Sequence, residues 1–430
     1  MSSSSVKVSS SSRETEGSSS SGSTTTTTKI SENVATLNKL PTTAIDTFGN
    51  EFEAPNVSLM EILNAIPKHC YERRLIQSLH YVFRDIAAMA IIGWVGMTYI
   101  PLVESTFLRF VLWNVQAFWM GCFGFGLWIL AHECGHSAFS DYNWVNDLVG
   151  WLLHSYLLTP YFSWKYSHAR HHQSTGHLTK DTAFVPYTKE EFIRSRSATA
   201  SKISEITEEA PLRTVAGLLF QQLFGLHAYF LTNASGQAYP AYSKLYTSHY
   251  NPVSPAFEKK EFWGIIASDI GMIITMTCVY YWAQTFGLWS AFINWFVPFI
   301  YVNHWLVFVT FLQHTDSSMP HYDAHAWNFV RGAAATIDRD FGFIDEHIFH
   351  RIIGTHVCHH YVSRIPQYNA REATVHIKKV LGKHYRYNGE NMWVSLWKTA
   401  RSCQFVEGDN GIRMFRNTNG IGVKPNDDKL

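Results

Sequence analysis

Four long apolar runs constrain the fold of this 430-residue chain more than any other feature of its sequence. Ile86–Val103, Phe110–Ala131 and Phe286–Gln313 contain no Asp, Glu, Lys or Arg, and Phe262–Ala283 contains one acid, Asp269. A helix needs about twenty apolar residues to cross the hydrocarbon core of a bilayer. Because uncharged stretches of this length are rare in soluble folds, the runs predict four transmembrane helices rather than buried helices of a large soluble core.

The connections between the runs predict the topology. Glu104–Arg109 joins the first two runs and Gln284-Thr285 joins the last two, so each pair is predicted to form a helical hairpin. Almost every Lys and Arg lies outside these connectors, and the positive-inside rule then places both termini and all large loops in the cytosol. We therefore expect an all-α integral membrane protein with four transmembrane helices in two hairpins and a cytosolic helical cap. Two other apolar segments, Val149–Trp164 and Leu212–Leu231, are interrupted by Pro or diluted by polar residues, and we expect them to lie at the interface or to line a cavity.

The two ends of the chain differ in composition from its middle. Residues 2–28 are mostly Ser and Thr and contain no recognisable cleavable signal peptide, so residues 1–45 are predicted to be a disordered tail. A membrane domain is expected over residues 46–410, followed by a C-terminal tail over 411–430. The formal net charge of +1 gives no argument for a nucleic acid partner.

Three histidine clusters are the strongest chemical signal. On a helix, residues three and four apart share a face, so each cluster presents two or three imidazoles in one direction. The predicted topology brings all of them to one cytosolic site at the membrane surface, where His314 at the end of the fourth run is a further candidate ligand. Eight imidazoles are too many for one ion and about right for two. The clusters are His132-Glu-Cys-Gly-His136, His168-Ala-Arg-His171-His172 and His356-Val-Cys-His359-His360.

The donor set narrows the choice of metal and chemistry. A closed structural zinc site takes four ligands, usually with Cys, whereas this site has more ligands and lies beside lipid. We interpret Cys134 and Cys358, which lie within the clusters, as packing residues because the histidines already supply enough ligands. Iron at a site beside the membrane would suggest that the protein activates O₂ in order to oxidise a lipid chain. Ligand histidines usually donate their second N–H to an acid, and one or two of the nearby acids are expected to do so. The candidates are Asp141, Asp147, Asp181, Asp323, Asp338, Asp340, Asp345 and Glu346.

With these clusters identified, the chain resembles the membrane fatty-acid desaturases over roughly residues 45–410, and most closely the microsomal Δ12 (oleate) desaturases and their ω3 relatives. His132–His136 followed by Ala138-Phe139-Ser140-Asp141 matches the first histidine box of that family. The segments Pro160–Ser167 and Thr355–His360 match the family's approach to the second box and its third box. Ile66–Cys70 is similar to a motif near the start of the family's domain, and Gln313-His314-Thr315 to the motif with the additional histidine.

The resemblance implies a di-iron centre, O₂ as oxidant, and electrons from cytochrome b5 and NADH-cytochrome b5 reductase. It implies a multi-pass enzyme of the endoplasmic reticulum membrane that acts on a fatty acyl chain, usually in a phospholipid, with acyl-CoA and a homodimer left open. The implied iron ligands and catalytic residues are the eight box histidines, and His314 is a ninth metal ligand. No His-Pro-Gly-Gly heme motif is present, so we expect the electron donor to be a separate protein.

Several functions stay open at this stage. Ser137 and Cys358 lie at positions where family members differ, so the sequence does not separate a Δ12 desaturase from an ω3 (Δ15) desaturase acting on linoleoyl chains. A fatty-acid hydroxylase on the same scaffold is a third reading. A metal transporter is the alternative that is not an enzyme. A transporter would place polar residues near the bilayer midplane, whereas the histidine clusters lie beyond the ends of the apolar runs. The leading prediction is a desaturase that inserts a cis double bond at Δ12 of oleoyl chains.

Overall fold

The computed structural model describes residues 40–197 and 211–425, and these residues are mostly helical. The predicted N-terminal tail lies outside them up to residue 39, as does the C-terminal segment 426–430. The α-helices in the described residues are α1 Leu59–Ala65, α2 Leu75–Tyr99, α3 Thr106–Gly135, α4 Asn143–Tyr156, α5 Tyr161–Ser174, α6 Lys189–Ser197, α7 Pro211–Thr232, α8 Phe262–Phe286, α9 Leu288–Ala291, α10 Val297–His314, α11 Phe329–Ala333, α12 Phe343–His347, α13 His356–Tyr361, α14 Gln367–Leu381 and α15 Met392–Ser402.

Five stretches of helix within the described residues are long and apolar enough to cross a membrane, one more than predicted. They are Leu75–Leu102, Thr106–Gly135, Pro211–Thr232, Lys259–Phe286 and Leu288–His314.

The additional candidate is α7, which was expected from its sequence to lie at the interface or to line a cavity. Its polar residue Gln222 is buried against the protein, while Leu212, Leu219, Phe220 and Phe224 are exposed. The polar residues that dilute the run therefore do not all face outward, and the outward face of α7 is apolar. The predicted count of four transmembrane helices is not confirmed.

Helix α3 is the centre of the bundle, and α2 and α10 pack along it. Glycines on α3 permit the close approach of α10: a Cβ at Gly121 would lie 2.3 Å from Cβ of Tyr301, and one at Gly124 would lie 2.8 Å from Val302. Phe125 and Trp305 are fully or almost fully buried at this contact. The tight packing fixes the direction in which the end of α3 leaves the bundle.

Helices α8 and α10, predicted as the second hairpin, make their main contacts with different parts of the bundle. They are separated by Gly287, α9 and a π-helical turn at Phe292–Phe296. Helix α8 packs on α4 and α5, where Trp151 donates to the carbonyl of Ala267 and Ser268 accepts from the backbone N–H of Phe162, both over 2.8 Å. Helix α10 instead packs on α3 and α7.

The described residues are mostly helical, as predicted, but they also contain three small sheets, so the protein is not purely α-helical. In the three-stranded sheet, the middle strand β7 (Ile412–Arg416) pairs with both neighbours and packs Ile412, Met414 and Phe415 into the interior. This strand lies inside the predicted C-terminal tail, so the ordered part of the chain extends past residue 410. The strands pair as β1 Thr43–Ile45 with β2 Glu51–Glu53, β3 Pro320–Tyr322 with β7 Ile412–Arg416 and β6 Phe405–Glu407 with β7, all antiparallel, and β4 Asp338–Arg339 with β5 Tyr387–Asn388 in parallel.

Candidate metal centre

Four helices bring the nine predicted histidines together. Helix α3 has 30 residues, which corresponds to about 45 Å at 1.5 Å per residue, so its end extends beyond a hydrocarbon core of about 30 Å. His314 is the last residue of α10, and the other two clusters lie on α5 and α13. The helical spacing predicted from the sequence is therefore present, and the four helix ends converge at one end of the bundle.

The first group of imidazoles contains five residues. Nε2 of His168 lies 3.0 Å from Nε2 of His132 and 3.1 Å from Nε2 of His172. Two ligand nitrogens at right angles on one ion, each bound at about 2.1 Å, lie about 3 Å apart. The spacing fits a shared metal ion. The group consists of His132, His136, His168, His172 and His359, whose donor atoms all lie within 4.8 Å of one another.

The second group is built around His314. Its Nε2 lies 3.0 Å from Nε2 of His356 and 3.4 Å from Nε2 of His171. The donor atoms of His171, His314 and His360 also lie within 4.8 Å of one another. The rings of His172 and His360 stack at 4.1 Å, which joins the two groups. All nine histidines thus belong to one cluster with two centres.

The buried nitrogen atoms also fit a metal. Nε2 of His136, His359 and His360 is buried without a hydrogen-bond partner in the described chain. An unpaired buried nitrogen is costly unless a ligand satisfies it. Burial, and then the neighbouring imidazoles, lower the pKa of His168, His172, His356, His359 and His360 well below the usual value. These rings are therefore neutral at physiological pH, which is the state that binds metal.

Asp181 and Thr175 orient two of the imidazoles. Nδ1 of His171 donates to Oδ1 of Asp181 over 2.7 Å, which leaves the Nε2 lone pair directed at His314. The hydroxyl of Thr175 donates to the carbonyl of His171 over 2.7 Å and lies 3.1 Å from Nδ1 of His360. Its single proton is thereby used, so His360 donates through Nδ1 and keeps its Nε2 lone pair free.

Asp338 supports the third cluster through the backbone. Its carboxylate accepts from the N–H of Val357 over 2.7 Å and from the hydroxyl of Tyr385 over 2.6 Å. Burial raises the pKa of Asp338 to about 6. Of the eight candidate acids, Asp181 is the one hydrogen-bonded to a cluster imidazole among the contacts of the described residues. The others bind Arg73 (Asp141), Lys165 (Asp147), Arg413 (Asp323), Arg351 (Glu346) or backbone N–H groups (Asp340, Asp345).

Sequence reasoning missed the aromatic wall beside the first group. Trp164 stacks on His168 with ring centroids 4.4 Å apart, and Trp128 stacks on His132 at 5.8 Å. A Cβ at Gly135 would come within 2.8 Å of the Trp164 ring, so only glycine fits there without a shift of the indole. Trp164 precedes His168 by four residues, and this helical spacing could have predicted that the indole packs on the imidazole. Both indoles are buried and keep water away from this side of the cluster.

A second missed contact links the first cluster to α14. Oε1 of Glu133 accepts from the N–H of Gln367, the first residue of α14, over 2.6 Å. Cys134 and Cys358 are buried and belong to neither imidazole group, in agreement with their interpretation as packing residues.

The sequence matches the profile of the family described as "Fatty acid desaturase" over residues 108–390, a range that contains all nine histidines. The chain belongs to the fatty acid desaturase family. It is 43% identical over 406 residues to an oleate hydroxylase of Claviceps purpurea, covering 89% of this chain and 85% of the relative. It is 39% identical over 394 residues to a Delta(12) fatty acid desaturase of Mortierella isabellina (90% and 97%). It is 39% identical over 357 residues to a Delta(12)-fatty-acid desaturase of Arabidopsis thaliana (83% and 89%).

Membership of this family makes the chain an oxidoreductase that acts on lipid-linked fatty acyl chains in a membrane. The apolar helices and the histidine-rich site agree with that class.

Proposed function

We propose that this chain is an acyl-lipid desaturase that inserts a cis double bond at Δ12 of oleoyl chains. The observation that carries the proposal is the convergence of nine imidazoles into two adjacent groups at one end of an apolar helix bundle. The Δ12 position is supported by relatives that carry that activity in their names, at about 40% identity over most of the chain.

The same proposal assigns His132, His136, His168, His171, His172, His314, His356, His359 and His360 as ligands of two iron ions. When bound, the irons supply the oxidant, made from O₂ and two electrons, that an unactivated methylene requires. The balance is one O₂, two electrons, two protons and two hydrogens from neighbouring carbons of the chain, giving one double bond and two waters. A rigid set of neutral imidazoles suits this role because it holds the metals without taking part in proton transfer.

The protein's own residues orient and protect the site. The hydrogen bonds of Asp181 and Thr175 fix the rings of His171 and His360. Trp164 and Trp128 shield the first group from water, which would otherwise compete for a reactive oxidant. We infer from the length of α3 that its end lies beyond the hydrocarbon core, so that a lipid acyl chain reaches the cluster from the bilayer.

The proposed location and partners rest on what the resemblance to the family implies. We propose that it resides in the endoplasmic reticulum membrane with both termini and the site in the cytosol. Cytochrome b5 and its NADH-dependent reductase would supply the two electrons that reduce O₂ at the irons. The substrate would be an acyl chain held in a phospholipid or a CoA ester.

Hydroxylation of the same acyl chain is the second candidate, because a relative at 43% identity is named an oleate hydroxylase. Both reactions begin with removal of one hydrogen from a methylene. They then differ in whether a second hydrogen leaves the neighbouring carbon or an oxygen atom is transferred to the first.

The test is to express the chain in cells whose lipids contain only monounsaturated chains. Mass spectrometry should then find a 9,12-diene, and a His359→Ala variant at equal abundance should form none. A 12-hydroxy chain as the main product would support the hydroxylase instead. A triene that forms only after linoleate is supplied would support the ω3 reading, and no product from iron-loaded protein would refute all three.

A further inference from the structure

A second cluster of metal-binding side chains lies outside the nine histidines. It contains His69 and Cys70 from the 3-10 helix Lys68–Tyr71 and Glu372 from α14. Nε2 of His69 lies 3.0 Å from Oε1 of Glu372 and 3.8 Å from Sγ of Cys70. The three donor atoms all lie within 4.8 Å of one another.

These distances fit one tetrahedral ion. With metal–sulfur bonds of about 2.3 Å and metal–nitrogen or metal–oxygen bonds of about 2.1 Å, the S···N and N···O distances would be about 3.6 and 3.4 Å. The observed distances differ from these by a few tenths of an ångström. A thiolate, an imidazole and a carboxylate are all ligands of Zn²⁺, whereas the nine-histidine cluster contains no sulfur ligand.

The backbone around the trio is held in place before any ion binds. Nδ2 of Asn369 donates to the carbonyls of His69, Cys70 and Glu72 over 3.2–3.3 Å, which fixes the turn against α14. Cys70 is fully buried against the apolar cluster that includes Ala370, while the side chains of His69 and Glu372 are half exposed. One side of the trio is therefore rigid and the other faces solvent.

An exposed His–Glu contact alone would contribute little to stability. The buried thiol of Cys70 lies beside this contact and adds a third metal donor. A simple ion pair between His69 and Glu372 would not require it. Three protein ligands with a fourth position left to water are the arrangement of open zinc sites, whereas structural zinc sites are closed by four protein ligands.

We propose that His69, Cys70 and Glu372 bind one Zn²⁺ ion, with water as the fourth ligand. The thiol releases its proton to solvent when the zinc–sulfur bond forms, and no electrons are transferred. The bound ion ties the segment that precedes α2 to α14, the helix that also receives the contact from Glu133. The site is separate from the nine histidines and does not depend on the identity of the lipid product.

The experiment uses the full chain, purified in lipid nanodiscs and loaded with iron so that the nine-histidine cluster is occupied. Titration with Zn²⁺ should give one tightly bound equivalent, and Co²⁺ in its place should give a thiolate-to-metal charge-transfer absorption. Zinc should raise the apparent unfolding temperature through mass action. Cys70→Ser should abolish the absorption, and Glu372→Gln should weaken zinc binding at least tenfold.

Cys278→Ser is the matched control, because Cys278 is an exposed thiol on α8 that belongs to none of the candidate metal groups. It should bind zinc and give the cobalt absorption as the parent protein does. Glu372→Gln keeps the test valid if Cys70→Ser fails to fold, since the Glu372 side chain is half exposed. The proposal would be overturned if no zinc binds beyond the iron-loaded cluster, or if well-folded Glu372→Gln and Cys70→Ser bind it unchanged.

Discussion

Nδ1 of His171 donates to Oδ1 of Asp181 over 2.7 Å, and both side chains are almost completely buried. Asp181 also accepts from the backbone N–H groups of Gly176, Ala183 and Phe184, so the carboxylate cannot turn away from the imidazole. A carboxylate held in this way fixes the tautomer of a ligand histidine and increases its basicity. Asp181 therefore acts as a positioning residue for the second imidazole group.

Replacing Asp181 with Asn should weaken metal binding while the fold persists. The amide can still accept from the backbone, but it lacks the charge that favours the His171 tautomer with a free Nε2. We expect a loss of roughly 10–100-fold in metal affinity or activity. The measurement is iron content by mass spectrometry after equilibration with graded free iron, together with turnover. Asp323→Asn, which changes an acid paired with Arg413, is the control and should bind iron normally.

His314 tests the assignment of the second group. Its Nε2 lies within 3.4 Å of two other imidazoles, so His314→Ala should leave an incomplete site and abolish product formation. Membrane insertion should be unaffected, because the residue is the last of α10 and most of that helix is apolar. The exposed His347 on α12 provides the matched control, and His347→Ala should retain activity. Normal activity and two irons in His314→Ala would remove this residue from the ligand set.

Gly121 tests the packing of α3 on α10. A Cβ there would lie 2.3 Å from Cβ of Tyr301 and 3.1 Å from the carbonyl oxygen of Pro298, so Gly121→Ala must push the helices apart. Overpacking of this kind typically costs about 1–3 kcal/mol, which should lower the apparent unfolding temperature by several degrees. Gly217→Ala on α7 has no atom within 4 Å of the new Cβ and should be neutral or slightly stabilising. Equal unfolding temperatures for the two variants would contradict the close approach.

The sequence was sufficient to predict that the nine histidines form one site. Helical spacing constrains the direction in which the imidazoles point, and the ends of the apolar runs constrain their position relative to the membrane. It was not sufficient for α7, whose polar Gln222 lowers the hydropathy of the run although that side chain is buried. Nor could it predict that α8 packs on α4 and α5, since that depends on contacts between distant residues such as Trp151 and Ala267. The trio at Cys70 was missed for the same reason: Glu372 lies some three hundred residues further along the chain.

The metal-free protein should become less stable as the pH falls below about 6.5. In the folded chain, burial lowers the pKa of His136 to about 3 and holds the pKa values of His168, His172, His356, His359 and His360 well below their usual value. In the unfolded chain these imidazoles take up protons near pH 6.5. The unfolded state then binds more protons than the folded state, so the free energy of unfolding decreases as the pH is lowered, by up to about 1.4 kcal/mol per pH unit for each histidine.

Measuring the apparent unfolding temperature of chelator-treated protein from pH 7.5 to 5.5 checks this prediction. We expect a steep fall below pH 6.5 in the metal-free protein. Added iron should raise the unfolding temperature at every pH in this range with a similar slope, because the folded imidazoles are already neutral and bind the metal without losing protons. Gly217→Ala, which removes no titratable group, should leave the slope unchanged. If the metal-free protein is equally stable at pH 7.5 and pH 5.5, burial does not hold the imidazoles neutral. That result would contradict the hypothesis that the site is preformed before metal binds.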